Sequence, residues 1–96
     1  MTPDSCTQAV RFLLYPVIFS PDLALEVDRV CRLFHGYPPA QILDLVKNVR
    51  AELEIPSIQV SQVEGLVSNP AEHEVRAYLK AVVTRLEATL VREGGA

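Results

Sequence analysis

Two histidines, two cysteines and four glycines are all that this 96-residue sequence offers to the commonest site chemistries, and none falls into a motif. Gly36, Gly65, Gly94 and Gly95 make no GxGxxG or GxxxxGKS pattern, so the sequence carries no phosphate-cradling loop signature. No HExxH or CxxC spacing accompanies His35, His73, Cys6 or Cys31, which leaves a zinc site without ligands. Basic charge is also short: nine Lys plus Arg against twelve Asp plus Glu give a net charge of −3, and a phosphate backbone draws concentrated cations. The longest apolar run, Phe12 to Phe19, is eight residues long and contains Pro16, whereas a bilayer span needs about 20. The opening MTPDSCTQAVR has no basic stretch ahead of an apolar one, which argues against a secretory leader and an oxidising compartment. The expectation is a cytoplasmic protein with two reduced thiols, no membrane span, no metal and no cofactor.

What the sequence has is helical periodicity. Its length suits one domain, residues 1–96, burying roughly 60 to 65% of its unfolded surface. Thr2-Pro3-Asp4 reads as an N-cap, a proline at the first helical position and an acid in the first turn, followed by Cys6, Ala9, Val10, Leu13 and Leu14 on one face. The first helix is predicted over 3–14, ending where Pro16 disfavours helix at Tyr15. Ser20-Pro21-Asp22 repeats the start signal, and Leu23, Val27, Val30, Cys31 and Phe34 predict a second helix over 21–35, closed by Gly36 in a left-handed cap. After the stiff Tyr37-Pro38-Pro39 link, Ile42, Leu45, Val46, Val49 and Leu53 predict a third over 39–54, with Glu52 on its polar side.

From Ile55 to Val60 the pattern reads as loop, and the Ser61-x-x-Glu64 capping box predicts a short helix over 61–67. Asn69-Pro70-Ala71-Glu72 then reads as N-cap, N1 proline and N3 glutamate, opening a last helix over 70–91 striped by Val75, Leu79, Val82 and Leu86. The fold class is all-α: an up-and-down bundle of four to five helices, the short one lying between the third and the last.

Catalytic groupings are weak. The candidate carboxylate pairs are Asp22 with Glu26, Asp28 with a remote partner, and Glu72 with Glu74, and all suit solvated helix faces. Cys31 and His35 stand four apart, but Cys31 belongs to the core stripe. The expectation is no enzyme and no small-molecule substrate. A helix-turn-helix over 61–85 is the alternative function, supported by Arg76, Lys80 and Arg85 and opposed by Glu72 and Glu74 where bases and phosphates would lie.

The stronger signal is surplus. Hydrophobic residues make up 49% of the chain, and Phe12, Tyr15, Leu25, Leu33, Leu43, Val83 and Val91 lie off the stripes. A bundle helix buries about a 100° stripe, so such residues widen the apolar faces past the core. Covering ~600 Å² of them is worth about 15 kcal/mol gross, before the cost of association. The sequence therefore predicts a protein-protein interaction module, of adaptor, inhibitor or assembly type, whose partner is another protein or a second copy in a homodimer. Phe12, Tyr15, Phe19, Leu25, Leu33, Tyr78 and Val83 are its expected partner-binding residues. Glu52, Glu54, Glu64, Glu72 and Glu74 are candidates for steering a basic partner.

Overall fold

Valine and leucine at helical spacing dictate the core. Val10, Leu13, Leu14, Val17, Val30, Val46, Val49, Val60, Val75, Leu79 and Val82 all have under 2% of their surface exposed. The structure, a computed structural model, describes residues 4–54, 59–63 and 65–94, and side chains within 7–90 of these. Four α-helices carry the chain: α1 (Asp4–Leu14), α2 (Val27–Leu33), α3 (Pro39–Glu54) and α4 (Glu72–Gly94). Short 3-10 turns join them at Tyr15–Val17, Leu23–Glu26 and Val60–Gln62, and there is no strand among the described residues. The all-α bundle expected from the sequence is what is seen. In space α1 packs on α3, α3 on α4, and α4 on α2.

The bundle measures 40 × 33 × 18 Å between Cα extremes. Two helix layers packed about 8–10 Å apart, with Cα atoms on a radius of about 2.3 Å, span roughly 13–15 Å between Cα extremes, so the thinnest dimension accommodates two layers.

Several local expectations are corrected by backbone hydrogen bonding. The second helix is predicted over 21–35 but begins as a 3-10 turn capped by Asp22, whose carboxylate accepts the Ala24 N–H at 3.0 Å. It regularises only over Val27–Leu33. Its end owes nothing to a left-handed Gly36, since no described glycine has positive φ. Instead the last turn tightens, with the Phe34 N–H donating to the Cys31 carbonyl and the His35 N–H to the Arg32 carbonyl, both i to i−3. At Pro16 the chain tightens into Tyr15–Val17 and stays in the right-handed region at Leu14 and Ile18. The helix predicted over 61–67 shrinks to Val60–Gln62. Its Glu64 cap, the Thr2-Pro3 start signal and the loop at 55–58 lie outside the described residues, as does the Cys6 side chain.

The start of α4 is shifted by two residues. Asn69 adopts φ 50°, a left-handed conformation that asparagine tolerates better than most, and its N–H closes a turn onto the Leu66 carbonyl at 3.0 Å. Ala71 becomes the N-cap, its carbonyl accepting from Glu74 and Val75. Glu74 makes the reciprocal bond, accepting the Ala71 N–H at 2.8 Å. Glu72 is thereby released for a different task.

That task is bracing the 59–63 segment. Both Glu72 carboxylate oxygens accept backbone N–H groups, from Val60 and Ser61, each at 3.0 Å. Arg76 reaches Glu72 at 3.0 Å and Glu52 at 3.3 Å, joining α4 to α3. Glu52, predicted on a polar face, is 1% exposed. Its guanidinium partner explains why a carboxylate is tolerated there.

Candidate functional site

The described residues contain no group of three or more His, Cys, Asp or Glu placed to hold a metal ion. The carboxylates proposed as pairs each have structural work. Asp22 caps Ala24, Glu26 pairs with Arg29 and accepts the Ser20 hydroxyl at 3.0 Å, and Asp28 pairs with Arg85. Burial pushes the Glu72 carboxyl up, but the Ser61 N–H and hydroxyl, the Val60 N–H and Arg76 outweigh it and hold the group below its ordinary value. The Cys31 thiol faces the Val82 carbonyl at 3.9 Å, and burial pushes its pKa up, away from the reactive thiolate. His35 is exposed, beyond the end of α2. None of these arrangements assembles a nucleophile with a base.

The apolar surplus does assemble a feature. Phe12 on α1 lies 5.5 Å, ring centre to ring centre, from Phe34 at the end of α2, and Tyr37 stands edge-on to both at 4.9 and 6.2 Å. Such tilted and edge-to-face pairs are favoured by the ring quadrupoles and stabilise the cluster beyond its burial. Phe34 is buried at its base, while Phe12 (48%), Tyr37 (39%) and the flanking Tyr15 (71%) and Leu33 (50%) remain open. Together with Pro16, Gln8 and Arg11 they line a groove of about 520 Å³ running along α1. An adjoining pocket of about 400 Å³ shares Gln8, Phe12, Phe34 and Tyr37 with it and is lined by Asp44 and Asn48 as well. Arg29 approaches from below, donating to the Pro16 carbonyl at 2.9 Å while paired with Glu26.

The seven residues expected to bind a partner divide three ways. Phe12, Tyr15 and Leu33 converge on the groove. Phe19 and Leu25 are exposed, at 84% and 75%, but line no part of it. Tyr78 and Val83 are the correction: they are 3% and 0% exposed, because α4 is packed by both α2 and α3 and buries a face wider than one stripe. The Tyr78 hydroxyl donates to the Leu13 carbonyl at 2.6 Å, and burial pushes its pKa well up. Phe34, read as part of a core stripe, is buried as expected, and the groove residue that sequence reasoning missed is Tyr37, which it assigned to a linker. The spacing of three from Phe34 to Tyr37, just before two prolines, was the available signal.

A second cavity, of about 540 Å³, lies between the Leu23–Glu26 turn and the start of α4, lined in part by Asp22, Asn69, Glu74 and Tyr78. Its two carboxylates are already engaged as helix caps. The acidic steering group fares similarly. Glu52 is buried, Glu72 and Glu74 accept backbone N–H groups, and Glu64 lies outside the described residues. Only Glu54 keeps the exposed position expected of it without a cap or clamp role shown.

No helix among the described residues is long and apolar enough to cross a membrane. The chain matches no protein-family model, no curated protein and no solved structure.

Proposed function

We propose that this chain is a non-enzymatic protein-interaction module that docks another polypeptide in the aromatic groove between α1 and the link from α2 to α3. The observation that carries the reading is the groove itself: four large apolar side chains, Phe12, Tyr15, Leu33 and Tyr37, left 39 to 71% exposed around one depression rather than scattered. Contiguous apolar surface of this kind is unfavourable in water and marks interaction sites, whereas isolated exposed apolar residues are ordinary. The carboxylates of Asp22, Glu26, Asp28, Glu72 and Glu74 serve caps, clamps and ion pairs, which supports a binding role over catalysis. The helix-turn-helix alternative loses its first helix, since Val60–Gln62 is three residues long, and the Arg76 that would support it is turned to Glu52 and Glu72.

The test is photo-crosslinking in the cells that make the protein, with benzoylphenylalanine in place of Tyr15 and, as a control, in place of Thr84 on α4. A discrete crosslinked polypeptide from position 15 and not from 84 is the expected result. Equal labelling from both positions, or none from 15, removes the reading.

A further inference from the structure

We infer that Arg29 is a positioning residue for the groove: by holding the Pro16 carbonyl against α2 it fixes the spacing of the two walls, and it acts on a docked polypeptide only through them. The inference rests on the docking role proposed above and adds how the site keeps its shape.

The first observation is that the walls belong to different parts of the bundle. Tyr15 and Pro16 continue the α1 wall, whereas Leu33 belongs to α2. α1 packs chiefly on α3, and α2 chiefly on α4. The distance between the walls therefore depends on cross-ties. At one end the tie is aromatic, Phe12 against Phe34 and Tyr37. At the other it is the Arg29 guanidinium, whose Nη2 donates to the Pro16 carbonyl at 2.9 Å.

The second is placement. Arg29 precedes Leu33 by four residues, one turn along the same face of α2. Pro16 adjoins Tyr15 and itself lines the groove. The bond thus spans the walls within a turn of the residues that line them.

The third is that the guanidinium is aimed. Its Nε donates to Glu26, and the other Glu26 oxygen accepts the Ser20 hydroxyl at 3.0 Å. Ser20 is 7% exposed, and its own N–H donates to the Val17 carbonyl at 3.0 Å. Ser20, Glu26, Arg29 and Pro16 in this way close a ring that joins the turn after α1 to the start of α2. A planar guanidinium meets carboxylate and carbonyl together through a fixed fork that a lysine ammonium lacks. A wall set before binding spares the docked chain part of the ordering cost.

The experiment compares Arg29→Met with Arg32→Met, which removes the same charge from α2 at a residue outside the groove. The intact chain carries 3-fluorotyrosine at its three tyrosines, so that fluorine NMR reads Tyr15 at the tied end, Tyr37 at the aromatic end and the buried Tyr78 as a control. Arg29→Met should broaden or split the Tyr15 signal alone. It should also lower the crosslinking yield from benzoylphenylalanine at position 15 by about two- to tenfold, with the melting temperature within a few degrees of wild type. Arg29→Lys should restore part of the yield, and Arg32→Met should alter neither readout. A Tyr15 signal as sharp as in wild type overturns the inference whatever the yield, because Arg29 then leaves the wall unmoved. An unchanged yield beside a broadened signal overturns it too, as does an equal loss in Arg32→Met. Should Arg29→Met melt far below wild type, Glu26→Gln supplies the same comparison, since it keeps an acceptor for Ser20 while weakening the hold on Arg29. Absence of any crosslink from the wild-type groove rejects the docking role itself, and the fluorine signals still decide whether Arg29 sets the wall.

Discussion

Replacing Tyr78 by phenylalanine removes one oxygen from the middle of the protein, and its effect separates a core residue from a binding residue. The hydroxyl donates to the Leu13 carbonyl at 2.6 Å, joining α4 to the end of α1. Leu13 lies in the last four residues of α1, where helix carbonyls lack an i+4 donor within the helix and need partners from elsewhere. Tyr78 supplies one from across the core. Losing a buried hydrogen bond and leaving its acceptor unpaired costs about 1–3 kcal/mol, and the lower desolvation cost of phenylalanine offsets part of this. A loss of about 1.5 kcal/mol is therefore expected. In a domain of this size each kcal/mol moves the melting temperature by roughly 4–8 °C, so the drop is about 6–12 °C. Urea unfolding followed by far-UV circular dichroism should show a lower midpoint with an unchanged slope. The pH dependence adds a signature. Burial raises the folded phenol above its ordinary value of 10, so its stabilisation is fully present below pH 10 and declines as pH rises through the folded value. The gap between wild type and variant should accordingly be constant from pH 6 to about 9 and narrow above 10. A variant within about 0.3 kcal/mol of wild type at pH 7 would refute the assignment of Tyr78 to a helix-ending role. Peptide binding in the groove should be unaffected, because Tyr78 does not line it.

The bracing of the 59–63 segment predicts that Arg76→Met, which takes the guanidinium from the 1%-exposed Glu52, destabilises the protein by about 3 kcal/mol in the same unfolding assay. Adding Glu52→Gln to that variant should recover part of the loss. Glu72 is held below its ordinary value of 4.5, so its contribution is present above pH 4.5 and disappears as pH falls through the folded value; Glu72→Gln should flatten the acid limb of the stability profile. At Asn69, with φ 50°, alanine should cost about 1 kcal/mol and glycine less, measured by the same midpoint. Arg50→Ala removes an exposed pairing with Glu87 and should change stability by less than ~1 kcal/mol.

How much of this was legible in the sequence follows from the range of each interaction. Apolar periodicity is local, and it located α1, α3 and α4 to within three residues at each end. Capping is local too, yet it misplaced the start of α4. The string Asn69-Pro70-Ala71-Glu72 fits a capping box, but so does a start two residues later with Glu74 at N3, and the choice was made at a distance. Glu72 is needed by the Val60 and Ser61 N–H groups, twelve and eleven residues away, and it shares Arg76 with Glu52. No window of neighbouring residues contains that bargain. Glu52 was misread for the same reason: its helical position is polar by pattern and buried only because α4 crosses it.

The groove lies between these extremes. Phe12 and Leu33 announced themselves as apolar residues off their stripes, which is a one-helix property. That α1 would present Phe12 to the end of α2 depends on α2 being short, seven residues, so that Phe34 and Tyr37 turn back across it. Tyr78 and Val83 looked like the same kind of surplus and were not. α4 is flanked by two helices and absorbs a wide apolar face, while α1 packs chiefly on α3. Off-stripe apolar residues thus carry opposite meanings at the centre and the rim of one bundle. The centre is where they deepen the core, and the rim is where they leave a surface for another chain. Placing aspartate at each position makes the distinction measurable. Val83→Asp should unfold the protein, whereas Tyr15→Asp should leave its melting temperature within a few degrees and abolish groove binding. Loss of folding in both would mean that the rim residue also belongs to the core, and the docking surface would have to be sought elsewhere.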